Sequence, residues 1–218
     1  MKSIAARALC TREKWFFGLI LAGGLAACSS LPQPPVRARV YDFGPGRTAA
    51  AAAQGTLPAI ILGEVRVSGQ PEAETALNYR LAYANAQQLH PYRDARWSQS
   101  PSALLAQALR ARLGEERPVL PATALGQSLA GDALPDVLRV ELEEFSQVFS
   151  TPEASHALVR LRASLSRVTR TGEQWRAHRL FIVQRPAATP DAAGGAQALA
   201  DAAAQAADDV ARWLESLP

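Results

Sequence analysis

The feature that most constrains the fold is a series of three long segments in which apolar and polar residues alternate. Residues 137–149, 157–168 and 174–184 follow one another with short breaks, at Thr151-Pro152-Glu153 and Thr171-Gly172. Alternation with a period of two is typical of strands that bury one face. Breaks this short can join only antiparallel neighbours. The sequence therefore predicts an antiparallel meander of three strands.

The first of these segments changes phase near its middle. Leu138, Val140 and Leu142 fall on even positions, whereas Phe145 and Phe149 fall on odd positions. One extra residue in a strand shifts the side chains behind it to the other face. We therefore expect a β-bulge at Glu143-Glu144.

The same two glutamates, together with Glu141, offer two interpretations. A paired-carboxylate site is one, but neighbouring strand residues point to opposite faces unless the strand is bulged. The other is ion pairing with Arg160 or Arg162 on the next strand, and cross-strand pairs of opposite charge stabilise a sheet. We favour the ion pairs.

Further elements precede and follow the meander. The patterns predict short strands at 36–43, 57–67, 77–84, 89–97 and 118–120. Ser100 suits a helix N-cap, Pro101 suits the first helical position, and an apolar stripe runs from there to Gly114. Residues 121–135 are expected to be a loop with one helical turn, 186–195 a loop, and 196–217 a long helix. From the residues alone, the antiparallel meander favours an α+β fold.

The N-terminus has the parts of a secretory signal peptide. Four basic residues precede an apolar run at 15–27. The run ends in Leu25-Ala26-Ala27-Cys28, which resembles the lipobox of bacterial lipoproteins. We expect residues 1–27 to be cleaved after Ala27 and Cys28 to carry a diacylglyceryl thioether, with an acyl chain such as palmitate on the new N-terminus. An uncleaved membrane helix is the alternative, but it needs roughly 20 apolar residues.

Cleavage would change the charge of the protein. The chain has 23 Lys+Arg and 20 Asp+Glu, and a pI of about 9.2. The signal peptide contains Lys2, Arg7, Arg12, Lys14 and Glu13, so nineteen residues of each sign remain in the mature part. The basicity therefore comes from the discarded segment, and nucleic acid is not expected as a partner.

Metal, disulfide and catalytic chemistry find little support. Cys10 leaves with the signal peptide, so Cys28 is the remaining cysteine and no disulfide or thiolate site is expected. His90, His156 and His178 lack the spacing of a metal site. No glycine loop or nucleophile-elbow motif is present. We therefore expect no catalytic, cofactor-binding or metal-binding residues, and a protein that is not an enzyme.

Four aromatic residues lie close together in the first half of the chain: Tyr79, Tyr83, Tyr92 and Trp97. Aromatic residues at such positions are ordinary sheet residues, which is the reading we favour. The alternative is that these four residues line an apolar groove for an acyl chain.

The domain organisation follows from these segments. After the signal peptide at 1–27, residues 28–56 would form the lipidated N-terminus, a Pro-rich tether at 29–35, the short strand near 36–43 and an Ala-rich mobile loop at 48–55. Residues 57–218 would form a single domain. About 160 residues suffice for one hydrophobic core.

Several motifs together resemble the ABC-type transport auxiliary lipoproteins. They are Val40-Tyr41-Asp42-Phe43, Asn78-Tyr79-Arg80-Leu81-Ala82-Tyr83, His90-Pro91-Tyr92, Ala95-Arg96-Trp97-Ser98, the stretches 138–149 and 157–165, and Trp213-Leu214 near the end. Phe43 stands where an aliphatic residue is commoner in that family. The resemblance covers nearly all of the mature chain and implies a three-layer α/β domain with a mixed, largely antiparallel sheet, a mid-chain helix and a long C-terminal helix, similar to the anticodon-binding-domain group.

The resemblance also implies partners and a location. Members of the family accompany an ABC permease, an ATPase and an MCE-domain substrate-binding protein in moving lipids across the Gram-negative envelope. The expected role is a docking or receiving partner at the outer membrane, because Ser29 stands where an aspartate commonly retains lipoproteins in the inner membrane. A phospholipid is a further candidate ligand, and a second copy of the chain is a further candidate partner. A lipid-anchored periplasmic hydrolase and a purely structural envelope lipoprotein are the alternative functions, and the inner membrane is the alternative location.

Overall fold

The computed structural model describes residues 37–45, 57–68, 74–127, 135–169 and 172–218. The predicted signal peptide, Cys28, the Pro-rich tether and the Ala-rich loop at 48–55 lie outside the described residues. The folded unit runs from Ala38 to Pro218.

The described residues form one mixed sheet of eight strands and four helices. The strands are β1 (Arg39–Tyr41), β2 (Ile60–Val67), β3 (Ala76–Leu81), β4 (Ala86–Trp97), β5 (Val119–Pro121), β6 (Asp136–Thr151), β7 (Ala154–Thr169) and β8 (Gly172–Pro186). The helices are α1 (Ala82–Asn85), α2 (Pro101–Leu113), α3 (Ala124–Gln127) and α4 (Ala192–Glu215).

Strand β6 organises the sheet because both of its edges are used. One edge pairs with β7 in antiparallel fashion along the whole strand, and β7 pairs in turn with β8. The other edge is shared by two parallel neighbours, β2 along the first half and β3 along the second. Beyond β2 lies β5, and beyond β3 lie β4 and then β1. The parallel pairs make the sheet mixed, so the α+β class is wrong and the α/β class is confirmed.

The meander and its bulge are confirmed. The register between β6 and β7 shifts between Leu142 and Glu144. Leu142 faces Leu161 before the shift, and Phe145 faces Val159 after it. The extra residue keeps the large apolar side chains on the same face of the sheet, which explains the change of phase in the sequence.

Helices α2 and α4 pack on each other and cover the apolar face of the sheet. The side of α2 that faces the core consists of leucines, namely Leu104, Leu105, Leu109 and Leu113. Helix α4 presents mostly alanines instead, including Ala202, Ala203, Ala206 and Ala207. Small side chains allow the long helix to lie close to β7 and β8. Each fully buried leucine contributes about 1.5–3 kcal/mol.

The predicted ends of α2 are confirmed. Ser100 is the N-cap, and its Oγ accepts a hydrogen bond from the backbone N–H of Ala103 at 3.3 Å. Pro101 is the first helical residue, and Gly114 caps the other end with its N–H donating to the carbonyl of Arg110 at 3.0 Å.

Several predicted boundaries are wrong. Strands β1 and β2 start a few residues later than predicted, and two further differences concern the start of a helix. Helix α4 starts at Ala192, inside the predicted loop 186–195, because Asp191 caps it. The predicted strand 77–84 ends at Leu81, because α1 begins at Ala82, and β4 then starts at Ala86. Neither boundary is marked by glycine or proline in the usual position.

Candidate functional site

Two of the predicted groove residues lie together on the sheet. The ring of Tyr79 on β3 is 4.6 Å from that of Tyr92 and 5.2 Å from that of His90, both on β4, measured between ring centroids. Phe149 on β6 contacts Tyr79 edge to face at 5.9 Å. Such aromatic pairs are worth about 0.5–1.5 kcal/mol beyond the area they bury.

The Tyr92 phenol is tied to a buried amide. Its O–H donates to Oε1 of Gln147 at 2.8 Å, and Nε2 of Gln147 donates to Oγ of Ser155 at 2.8 Å. The Gln147 residue is fully buried. Burial first, and then Tyr79 and Asp191, raise the pKa of the Tyr92 phenol. The phenol is therefore a neutral donor at physiological pH, and the contact is a structural hydrogen bond.

The other two predicted groove residues lie elsewhere. Trp97 is 1% exposed and packs with Phe43 and Phe145, with ring centroids 5.6 Å away in both cases. Tyr83 is in the short helix α1 and is 49% exposed. The structure thus brings Tyr79 and Tyr92 together, but not the four residues. Their role in binding an acyl chain stays a prediction.

A cavity that the sequence did not reveal lies between α2 and α4. It has a volume of about 390 Å³, and Phe43 and Leu104 form part of its wall. Small residues of the two helices form most of the rest, namely Ala108, Ala111, Ala200, Ala204 and Ala207. Side chains this small leave a space between the helices that suits apolar groups. Alanines at these positions are ordinary helix formers in sequence, which is why no pattern marks the cavity.

Arg112 and Asp208 line part of that cavity and belong to an ion-pair cluster. Nε of Arg112 lies 2.7 Å from Oδ1 of Asp208, and Nη1 of Arg112 lies 2.8 Å from Oε1 of Glu116. Burial alone would lower the pKa of Arg112, but the hydrogen bonds to Glu116 and Asp208 outweigh it and raise the pKa. The cluster joins α2 to α4.

The bulge in β6 brings Glu143 and Glu144 to one face of the sheet. Glu143 lies 3.1 Å from Nε of Arg160 and 2.9 Å from Nη2 of Arg162, which confirms the predicted cross-strand pairing. For Glu144 that prediction is wrong. It binds Arg80 of β3 through two hydrogen bonds, of 3.1 and 3.0 Å.

The arrangement of these groups is an ion-pair network. Ser146 adds a third hydrogen bond to Glu144, at 2.6 Å. Both carboxylates are engaged by guanidinium groups, as in charge-assisted pairs that fix geometry. A small cleft of about 260 Å³ lies beside them, where β2 and β3 separate along β6. Arg80 was missed in the sequence because its partner is 64 residues away.

Two further findings concern the described residues only. They contain no cluster of three or more His, Cys, Asp or Glu side chains that would hold a metal ion. Among them, no helix combines the length and the apolar character needed to cross a bilayer.

The described residues form an α/β domain whose polar clusters are held by ion pairs and hydrogen bonds. Comparison with known proteins gives the family. The chain belongs to the ABC-type transport auxiliary lipoprotein component family, whose model matches residues 41–211. The predicted resemblance is thereby confirmed. The match covers all but the last four residues of α4 and begins within β1.

Solved structures support the fold. The protein XCC0632 from Xanthomonas campestris, of the DUF330 family, superimposes with a TM-score of 0.61 at 18% identity, over 81% of this chain and 93% of that one. An uncharacterized protein superimposes with a TM-score of 0.58 at 15% identity, over 82% of this chain and 99% of that one. No curated protein matches the chain.

Proposed function

We propose that the protein is a lipid-anchored periplasmic accessory component of an ABC transporter of the MCE type, which moves lipids across the Gram-negative envelope. In this role it acts as the docking or receiving partner at the outer membrane. The observation that carries the proposal is the family match across residues 41–211. That match makes the chain an auxiliary lipoprotein of an ABC-type transport system. The MCE type and the outer membrane are the finer parts of the proposal.

The anchor in this proposal is Cys28. It follows Leu25-Ala26-Ala27 and precedes β1, the first strand of the folded unit, by a Pro-rich segment. Acyl chains contribute about 0.8 kcal/mol per buried CH₂, and stable anchoring takes more than one chain. A diacylglyceryl group with an N-terminal acyl chain meets that requirement. Ser29 supports transfer to the outer membrane.

The accessory role agrees with the chemistry of the described surfaces. Glu143 and Glu144 are held in ion pairs, and the Tyr92 phenol is held by a buried amide. These groups are engaged in contacts that stabilise the fold, and a partner would meet the surface around them. The proposed role is therefore binding rather than catalysis.

Labelling and fractionation test the anchor and its location. Cells expressing the full chain are fed labelled palmitate, and the envelope is separated into inner and outer membranes. We expect label on the wild type and on the Cys10→Ala control, and none on Cys28→Ala. We expect the wild type in the outer membrane and Ser29→Asp in the inner membrane. Label on Cys28→Ala would contradict lipid attachment at Cys28. Wild type found only in the inner membrane would contradict the outer-membrane location.

Co-purification tests the transporter. The tagged wild-type lipoprotein is isolated in mild detergent and examined for the MCE-domain protein, the permease and the ATPase of the same cell. Recovery of the MCE-domain protein is the expected result. An abundant unrelated outer-membrane lipoprotein, tagged in the same way, serves as the control. Recovery of the MCE-domain protein in equal amounts with both tagged lipoproteins would contradict the proposal.

A further inference from the structure

Strand β8 has a free edge. It spans Gly172–Pro186 and pairs with β7, and no other strand of the described residues pairs with it. An unpaired edge presents backbone N–H and C=O groups that are ready to bind another strand. Proteins usually protect such edges by keeping them short, charged or bulged. The length of β8 makes its free edge a surface that needs explanation.

The middle of this edge is apolar. Leu180 and Ile182 are 41% and 58% exposed, and Trp175 on the same strand is 69% exposed. We call these three residues the apolar row. In the described part of the chain the large exposed apolar residues number five, so most of them lie on this one strand. Exposed apolar residues that cluster mark interaction sites, whereas scattered ones need no explanation.

The two sides of β8 differ at this point. Leu180 and Ile182 lie opposite Arg162 and Arg160, on the face that carries the Glu143 ion pairs. Phe181, between them in sequence, points to the helix side and is buried against Trp213 of α4, 5.9 Å away between ring centroids. Residues 180–182 are therefore packed against α4 on one face of the sheet, through Phe181, and the other two side chains are exposed to solvent on the other face.

A trough follows the helix side of the edge. It has a volume of about 450 Å³ and lies between residues 179–182 of β8 and the last turns of α4. Asp209, Arg212 and Trp213 line it from the helix. Side chains of an added strand alternate between the two faces. Those on one face would lie beside the apolar row, and those on the other would enter this trough.

The charge of the edge indicates the chemistry of the occupant. Arg179 lies over the ring of Phe181, with its guanidinium carbon 5.3 Å from the ring centroid. Arg185 donates to the uncharged amide oxygen of Gln205 at 2.6 Å. These two cations flank the apolar segment 180–183. An acidic partner would complement them, whereas a second copy of β8 would bring the same arginines towards each other.

We propose that the free edge of β8 docks an extended segment of a protein partner, which adds a strand to the sheet. The segment carries apolar side chains at alternate positions and acidic residues near its ends. Main-chain hydrogen bonds supply affinity in this mode of recognition, and alternate side chains supply specificity. The inference rests on the proposed function for the identity of the partner, a protein of the transport system.

Site-specific cross-linking tests which molecule covers the edge. A photoreactive amino acid is placed at position 182 of the full chain in cells, and at position 40 as the control. Val40 is a suitable control because it is an apolar residue, 54% exposed, on the opposite edge strand β1. We expect a cross-link from position 182 to an acidic extended segment of a transporter protein, and none from position 40. A cross-link to a second copy, a cross-link to lipid alone, or no cross-link from position 182 would overturn the proposal.

Binding measurements test the chemistry. The double variant Leu180→Asp/Ile182→Asp and the control Val40→Asp are compared with wild type for binding to the purified MCE-domain protein. We expect the double variant to bind at least tenfold more weakly and Val40→Asp to bind as wild type does. Arg179→Glu should weaken binding, and its effect should shrink as the salt concentration rises. Far-UV circular dichroism of each variant establishes that the fold is retained.

The outcomes separate the two proposals. If wild type binds the transporter protein and the double variant binds equally well, the docking edge is overturned and the proposed function stands. If wild type binds no transporter protein, that result contradicts both the proposed function and the partner proposed for β8. If the double variant has lost its fold, Arg179→Glu and the cross-link from position 182 decide instead.

Discussion

At the scale of single residues, Gln147 shows how closely the sheet and α4 fit. This glutamine lies on β6, is fully buried, and is held by Tyr92 from β4 and Ser155 from β7. Gly195 of α4 lies directly against its amide. A Cβ added at Gly195 would stand 1.9 Å from Oε1 of Gln147. The glycine is therefore needed for the close approach of helix and sheet.

The first prediction concerns Gly195→Ala. Alanine favours helix over glycine by up to about 1 kcal/mol, so propensity alone predicts stabilisation. The added methyl group must instead displace the Gln147 amide and break its two hydrogen bonds. We expect the free energy of unfolding, measured by urea denaturation, to fall by about 1–3 kcal/mol.

A double-mutant cycle with Gln147→Ala isolates this contact. Truncation of Gln147 removes the atoms that the new methyl group would strike. In that background we expect Gly195→Ala to be neutral or stabilising, with a coupling energy of about 1 kcal/mol or more. The same loss of stability in both backgrounds would show that the clash is not the cause.

At the scale of elements, α4 starts four residues before the position that the sequence pattern predicts. The apolar periodicity becomes clear only from Leu199 onwards, and Gly194-Gly195 resembles the end of a loop. The helix nonetheless begins at Ala192, because Oδ1 of Asp191 accepts a hydrogen bond from the N–H of Gly194 at 2.8 Å. Thr189 donates to the same oxygen at 2.7 Å. A cap and tertiary packing thus outweigh the low helix propensity of two glycines.

The second prediction concerns this cap. The hydrogen bond from Gly194, and then that from Thr189, lower the pKa of Asp191. A carboxylate with a lowered pKa stabilises the folded state above its unfolded pKa of about 3.9 and loses this effect as the pH falls through its folded value. We expect Asp191→Ala to cost about 1 kcal/mol at pH 7 and progressively less below about pH 4. Thermal unfolding of both proteins between pH 3 and 7 measures this.

The matched control is Asp191→Asn. Asparagine keeps an oxygen acceptor at the cap, so little stability should be lost at neutral pH. It cannot titrate, so the difference between Asp191→Asn and Asp191→Ala should not depend on pH. A loss for Asp191→Ala that is the same at pH 3 and pH 7 would contradict the role of the charge.

At the scale of the whole molecule, local patterns predicted more than long-range ones. The meander, the bulge and the ends of α2 were predictable because alternation, phase and caps are written in neighbouring residues. The division of one edge of β6 between β2 and β3 was not, because parallel pairing joins segments far apart in sequence. The partner of Glu144 was missed for the same reason, since Arg80 reaches it through the pairing of β3 with β6. The cavity between α2 and α4 depends on how two alanine-rich surfaces meet, which no periodicity records.

The third prediction concerns Asp136, which ties distant parts of the molecule together. It is the first residue of β6 and binds Arg167 near the end of β7, with Nε 2.8 Å from Oδ1. It also binds Arg176 of β8, whose guanidinium donates to the backbone oxygen of Pro218. Burial alone would raise the pKa of Asp136, but the hydrogen bonds from Arg167 and Arg176 outweigh it, and the pKa is lowered.

The sign of the pH dependence follows from that direction. A lowered folded pKa means that the stabilisation is present above the unfolded pKa of about 3.9 and is lost as the pH falls through the folded pKa. We expect Asp136→Asn to lower the free energy of unfolding by about 1–2 kcal/mol at pH 7, and the difference from wild type to shrink below about pH 4. Asp94→Asn is the control, because its pair with Arg93 is exposed at the surface and should contribute less than about 1 kcal/mol. Urea denaturation between pH 3 and 7 decides the matter. If Asp136→Asn and Asp94→Asn lower the free energy of unfolding by the same amount at every pH, the contacts of Asp136 with Arg167 and Arg176 do not stabilise the sheet.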